Sequence, residues 1–137
     1  MVELIENERL NRRMLKETRE NIILRKIFEN NEFFITNWNR DLEEKYKIPK
    51  NSLYNIIKSL IKQKLIIRKS LKPIRVTFTP KISNMLLIIE DNGEIPLKEL
   101  EQNFSYQELP NIVEKLIDAE IIKKFTKNLN IYLKMIP

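Results

Sequence analysis

The sequence predicts a mainly α fold with small β wings, in which two similar units follow an N-terminal helix. Apolar residues recur at helical spacing over most of the chain, each unit ends in a pair of short β-rich segments, and one order of elements occurs twice. We divide the 137 residues into a charged N-terminal helix over 1–20, a first unit over 21–80 and a second unit over 81–137.

The N-terminal segment has good helix formers and no helix breaker. It carries five basic and five acidic side chains. Pairs of opposite charge four residues apart, such as Glu8 and Arg12, each support a helix by roughly 0.3 kcal/mol. Because its apolar stripe is thin, the segment is either a solvated extension or a dimerisation helix. In the second case we expect Leu10 and Met14 to be the contact positions.

The first unit opens with a predicted helix that ends near Asn30, followed by a short strand over 33–35. Asn37 is suited to cap a second helix over 38–46. Pro49 can open a third helix, since its missing N–H group would be unpaired there anyway.

That third helix has one apolar face, formed by positions that recur at helical spacing: Leu53, Ile56, Ile57, Leu60 and Ile61. The segments LIIRKS and IRVTFT follow, and both are rich in β-branched residues. They predict two strands joined by a turn at 71–73.

The second unit repeats this order. Its predicted elements are a helix over 81–92, a strand over 94–96, helices over 97–104 and 109–119, and strands over 120–126 and 130–135. The repeat is visible when LIKQKLIIRKS is aligned with LIDAEIIKKFT, because in both segments Leu-Ile ends a helix and an apolar-basic strand begins three residues later. This order of elements is typical of a winged helix, so we predict a tandem winged helix-turn-helix protein preceded by an N-terminal helix.

Composition excludes several functions. The chain contains no cysteine, no histidine and a single glycine, Gly93. These features remove disulfides, thiol or histidine catalysis, the usual zinc ligands and a glycine-rich phosphate loop. We therefore expect no enzyme activity, no metal and no cofactor. No apolar run approaches the ~20 residues needed to cross a bilayer, and residues 1–10 lack a signal-peptide pattern, so we expect a cytoplasmic protein.

Charge is distributed unevenly along the chain. Residues 21–80 hold thirteen basic and five acidic side chains, whereas residues 81–137 hold seven basic and nine acidic ones. A surface that binds a polyanion is therefore expected in the first unit and not in the second.

The third helix of the first unit combines a cationic, amide-bearing outer face with a basic hairpin, an arrangement that places a helix in the DNA major groove with a wing beside it. Asn can bond adenine, and Lys can contact guanine or phosphate. The alternative is a solvated helix face and a charged edge strand. The candidate DNA contacts are Lys50, Asn51, Ser52, Tyr54, Asn55, Lys58 and Lys62 on the helix, with Arg68, Lys69, Lys72 and Arg75 on the hairpin.

The run IPKNSLYNII from Ile48 to Ile57, followed by Leu60 and KLI at 64–66, resembles the recognition helix and first wing strand of TrmB- and MarR-like archaeal regulators. The wing KPIRV at 72–76 is similar to the basic, proline-bearing wing of the TrmB group. This resemblance covers roughly residues 21–80 and implies a winged-helix DNA-binding domain. The chain departs from the TrmB pattern because it lacks a large sugar-binding domain and the glycine usually found where Gln63 and Lys64 stand.

Two functions remain open at this stage. The first is sequence-specific binding of double-stranded DNA by a small transcription regulator that acts as a homodimer. The second is a protein-interaction subunit that helps hold together a transcription, replication or chromosome-organising complex. In either case residues 81–137 are expected to mediate dimerisation or bind a partner, because the outer face of their third helix is mostly acidic. Leu129, Ile131 and Leu133 are candidate contacts there, unless they belong to the core.

Overall fold

The computed structural model describes residues 2–34, 44–71 and 74–137. Its first element is one long helix, α1, over Val2–Asn30. The charged N-terminal segment and the first predicted helix of the first unit are therefore a single continuous helix. Among the helices in these ranges, none combines the length and apolarity needed to cross a membrane.

The rest of the first unit contains one helix and three strands. These are β1 over Phe33–Phe34, α2 over Lys50–Lys62, β2 over Ile66–Leu71 and β3 over Ile74–Phe78. β3 is the central strand of an antiparallel sheet of order β1-β3-β2. The helix predicted after Asn37 falls mostly outside the described residues, and residues 44–46 are helical.

The second unit has the same organisation. Its elements are α3 over Pro80–Asn92, β4 over Glu94–Pro96, α4 over Leu97–Leu100, α5 over Glu108–Asp118, β5 over Ile122–Lys127 and β6 over Asn130–Met135. β6 is the central strand of a second antiparallel sheet, of order β4-β6-β5.

The predicted fold class, a mainly α tandem winged helix-turn-helix, is wrong. The chain is mixed α/β, with 54% of its residues helical and two small antiparallel sheets. In each unit a short strand joins the hairpin, with Phe33 opposite Val76 in one sheet and Ile95 opposite Leu133 in the other, so the hairpins are parts of three-stranded sheets. The helix predicted over 97–104 is a single turn, Leu97–Leu100.

The internal repeat extends to the way in which α2 and α5 end. Lys64 and Glu120 both have positive φ, at 63° and 60°. The N–H of Lys64 donates to the carbonyl of Ile61, and the N–H of Glu120 donates to that of Ile117, each at 2.9 Å. Glycine is the usual residue at such a helix end, and a side chain there costs about 1 kcal/mol. Lys64 therefore adopts the positive-φ conformation that glycine usually adopts, at the place where the TrmB pattern has a glycine and this chain does not.

Glu20 of α1 connects the two units. This carboxylate is only 2% exposed, although every other fully buried side chain among the described residues is apolar. It accepts hydrogen bonds from Ser59 Oγ at 2.8 Å and Gln63 Nε2 at 3.3 Å, both from the α2 side, and from Lys115 Nζ of α5 at 3.0 Å. A second link joins the Arg25 guanidinium to the carbonyl of Glu120. α1 therefore fixes α2 and α5 relative to each other.

Candidate nucleic-acid interface

The apolar face of α2 anchors this helix in the first unit. Its buried side chains are Leu53, Ile56, Ile57 and Leu60, all at most 4% exposed. The helix begins directly after Pro49, whose carbonyl accepts the N–H of Leu53 at 3.1 Å. With one side held in the core, the orientation of the opposite side is determined, and that side carries the polar residues.

The seven candidates on α2 lie where the sequence predicts them. Six are exposed and Ser52 is half-buried: Lys50, Asn51, Ser52, Tyr54, Asn55, Lys58 and Lys62. No side chain caps the start of α2, so capping does not explain why Asn51 and Ser52 stand in the first turn. Asn51, Asn55, Lys58 and Lys62 follow one another at spacings of four, three and four residues, which places them along one stripe.

The hairpin candidates divide into two kinds. Arg68 and Lys69 are exposed on β2, an edge strand of its sheet. The register of β2 against β3 shifts between Arg68 and Ser70, and such a bulge redirects the side chains beside it. Arg75 is instead paired with Glu32 at 3.5 Å, an exposed and therefore weak pair that phosphate would have to replace. Lys72 lies outside the described residues.

The basic residues around this interface form an uninterrupted stretch, which charge sums over whole units do not show. From residue 45 to residue 89 there are eleven basic side chains and no acidic one. Three acidic residues from elsewhere in the described part of the chain are paired at or beside this stretch. Glu20 is buried beside Lys115, Glu32 pairs with Arg75, and Glu108 pairs with Lys81 at 4.0 Å. The exposed surface of α2 and β2 is therefore cationic, and neither element contributes a carboxylate to it.

The equivalent helix of the second unit has the opposite character. Glu114 and Asp118 are exposed on α5, whereas its one lysine, Lys115, is engaged by Glu20. The helix start is closed by a reciprocal pair in which Ser105 N donates to Glu108 Oε2 and Glu108 N donates to Ser105 Oγ. Hydrogen bonding of the carboxylate to the Ser105 N–H, then to the Ser105 hydroxyl, and the nearby charge of Lys81 hold the pKa of Glu108 below its usual value, so this carboxylate stays ionised. An acidic helix face would repel phosphate, as the sequence predicts.

A cleft of about 900 Å³ separates the cationic and acidic surfaces. The end of α2 and the start of β2 form one wall, and α5 forms the other. Lys64 and Lys81 reach this cleft, but so do Glu114 and Asp118. Because both signs of charge are present, the cleft has no preference for an anionic ligand and is not part of the candidate interface.

The apolar residues predicted to contact a second protomer or a partner differ in their exposure. The side chains of Leu10 and Met14 lie outside the described part of α1. Leu129 and Ile131 are 97% and 45% exposed at the β5–β6 hairpin. Leu133 is fully buried and is a core residue.

Comparison with known protein families, with curated proteins and with solved structures found no match. The resemblance to TrmB- and MarR-like regulators stays a prediction from the residues quoted for it. Within residues 2–34, 44–71 and 74–137, no group of three or more acidic side chains is placed to hold a metal ion.

Proposed function

We propose that this protein binds double-stranded DNA at specific sequences and regulates transcription, with α2 in the major groove and the β2–β3 hairpin along the backbone or the minor groove. The observation that carries the proposal is the acid-free cationic surface of α2 and β2, which the packing of α2 presents to solvent. Duplex DNA in the cytoplasm is the polyanion that this surface would meet.

Size and chemistry both suit the major groove. A helix of thirteen residues, such as α2, is about 20 Å long, and the groove is ~12 Å wide and admits one α-helix. Asn51 and Asn55 carry amide groups that can form paired hydrogen bonds with adenine. Lys50, Lys58 and Lys69 are suited to phosphates, which position the protein without selecting a sequence.

The first test is the salt dependence of binding by the full chain. The Lys50→Glu, Lys58→Glu double variant should bind a selected duplex at least about 100-fold more weakly at 0.1 M salt, since each lost phosphate contact is worth roughly tenfold. The slope of log affinity against log salt concentration should also become shallower by about 2.

Fluorescence anisotropy on a duplex selected from a random library measures both quantities. Lys98→Glu, which changes an exposed lysine of α4, is the matched control and should bind like the wild type. An unchanged slope in the double variant would contradict the proposed docking. Weak binding with no sequence preference in the wild type would favour the interaction-subunit alternative.

We further propose that the protein acts as a homodimer, with contacts supplied either by α1 or by the second unit. One recognition helix reads only a few base pairs, whereas two copies across a two-fold axis read half-sites about one helical turn apart. If α1 supplies the contacts, the Leu10→Glu, Met14→Glu double variant should be monomeric by light scattering and bind a single half-site, whereas a variant that stays dimeric would place the contacts in the second unit. A wild-type protein that is monomeric at high micromolar concentration, yet binds specifically, would rule out the dimer.

A further inference from the structure

The turn of the β5–β6 hairpin has a common conformation but an unusual residue at its second position. Lys127 pairs with Asn130 across a two-residue loop. Both loop residues have positive φ, 51° at Asn128 and 66° at Leu129. Turns of this kind accept Asn readily and favour Gly at the second position, because the Cβ atom of any other residue crowds the backbone there. Leu129 is nevertheless 97% exposed, so no contact within the described residues compensates its strain.

The charge of this hairpin is the reverse of that of its unit. Residues 81–120 hold three basic and nine acidic side chains, whereas residues 121–137 hold four lysines and no acid. The net negative charge of the second unit therefore conceals a cationic hairpin. Two of the lysines form exposed pairs, Lys124 with Glu114 and Lys127 with Glu94. Exposed pairs of this kind are weak and can be exchanged for phosphate.

One face of the hairpin is stiffened by aromatic packing. The rings of Phe125 and Tyr132 stack across the two strands with their centroids 5.7 Å apart. Lys134 Nζ lies 5.4 Å from the Phe125 ring centre, and Lys127 Nζ lies 5.6 Å from that of Tyr132. Cross-strand pairs of this kind hold a hairpin in one register. The tip is therefore presented on a firm, cationic support.

We propose that the β5–β6 hairpin is a second DNA contact, in which Leu129 inserts as an apolar wedge into the minor groove while lysines behind it bind phosphates. Minor-groove proteins use such wedges to unstack a base step and kink the duplex by roughly 20–90°. The cationic surroundings favour this occupant over a protein partner. The inference rests on the proposed function for its ligand but not on the docking of α2.

The test measures the affinity and bending of a duplex by the full-length protein, using fluorescence anisotropy and energy transfer between dyes at the duplex ends. Leu129→Gly keeps the turn and relieves its strain, so its thermal unfolding midpoint should be equal to or above that of the wild type. It should nevertheless bind about tenfold more weakly and bend the duplex less. Leu87→Ser, at an exposed leucine of α3, should change neither property.

A second pair of variants examines the lysines. The Lys123→Glu, Lys134→Glu double variant should flatten the salt slope by about 2, and Lys98→Glu should not change it. Wild-type affinity and bending in Leu129→Gly would overturn the inference. The inference would also be overturned if the hairpin variants changed only the oligomeric state of the protein. A wild-type protein that binds single-stranded DNA more tightly than duplex DNA would overturn it as well.

Failure of this inference can be told apart from failure of the proposed function. Hairpin variants that match the wild type, while the α2 variant loses binding, would remove only the hairpin contact. The converse result would remove the α2 interface and leave the hairpin as the DNA-binding surface. A wild-type protein that binds no duplex would remove both.

Discussion

Glu20→Ala is expected to lower the free energy of unfolding by about 2–4 kcal/mol, because it leaves the partly buried Lys115 ammonium and the Ser59 hydroxyl without their acceptor. The Glu20 carboxylate is 2% exposed and receives bonds from Ser59, Gln63 and Lys115. The side chain of Lys115 is 24% exposed, so its ammonium group keeps some hydration, and we do not expect a larger loss. Urea unfolding of the full chain measures the effect.

Three further variants separate the charge of Glu20 from its shape. Glu20→Gln keeps an acceptor for Ser59 and loses the ion pair, so it should cost about half as much as Glu20→Ala. The Glu20→Leu, Lys115→Met double variant removes both charges and should recover most of the loss. Glu29→Ala, at an exposed residue of the same helix, should change the free energy of unfolding by less than about 0.5 kcal/mol. If Glu20→Ala were as mild as Glu29→Ala, the connection between the units would not depend on this residue.

The second large effect is expected in DNA sequence discrimination. Asn51→Ala and Asn55→Ala should each reduce discrimination between the selected duplex and single-base variants by about 1–3 kcal/mol, if each amide contacts one base. Lys69→Ala should instead weaken binding to every sequence about equally, because a phosphate contact carries no sequence information. Competition binding against a panel of single-base variants distinguishes the two patterns.

Stability provides the control for these changes. Neither amide caps α2, and both are exposed, so the two Asn variants should unfold within about 0.5 kcal/mol of the wild type. Asn84→Ala, at an exposed asparagine of α3, should affect neither stability nor discrimination. Unchanged discrimination in both α2 variants would show that α2 does not read bases.

Local patterns predicted the helices and hairpins well. The helix predicted over 81–92 is Pro80–Asn92, the one over 109–119 is Glu108–Asp118, and the last strand begins and ends as predicted. These elements depend on the period of apolar residues, which neighbouring residues alone define. The helix predicted over 97–104 is shorter than expected. Phe104 lies beyond its end and is buried by packing against other elements, which the sequence cannot show.

In the candidate interface, too, some features follow from local sequence and others only from tertiary packing. The exposure of Lys50, Asn55 and Lys58 follows from the apolar period of α2, so the sequence could predict it. The pairing of Arg75 with Glu32 could not be predicted, because the two residues are brought together by strands far apart in the chain. Charge sums over whole units also obscured the hairpin around Leu129, where four lysines follow a strongly acidic stretch.

The sequence by itself determined most of the helical and extended segments, the apolar face of the long amphipathic helices, and where the basic residues concentrate. These properties depend on residues close together in the chain. Only the tertiary structure decided that a third strand completes each sheet, that Glu20 joins the two units, and that Leu129 stands fully exposed in a strained turn. Strand pairing, burial of a charge and exposure of an apolar side chain depend on contacts between segments that are distant in the chain. The free energies of these contacts cannot be predicted from the local sequence pattern.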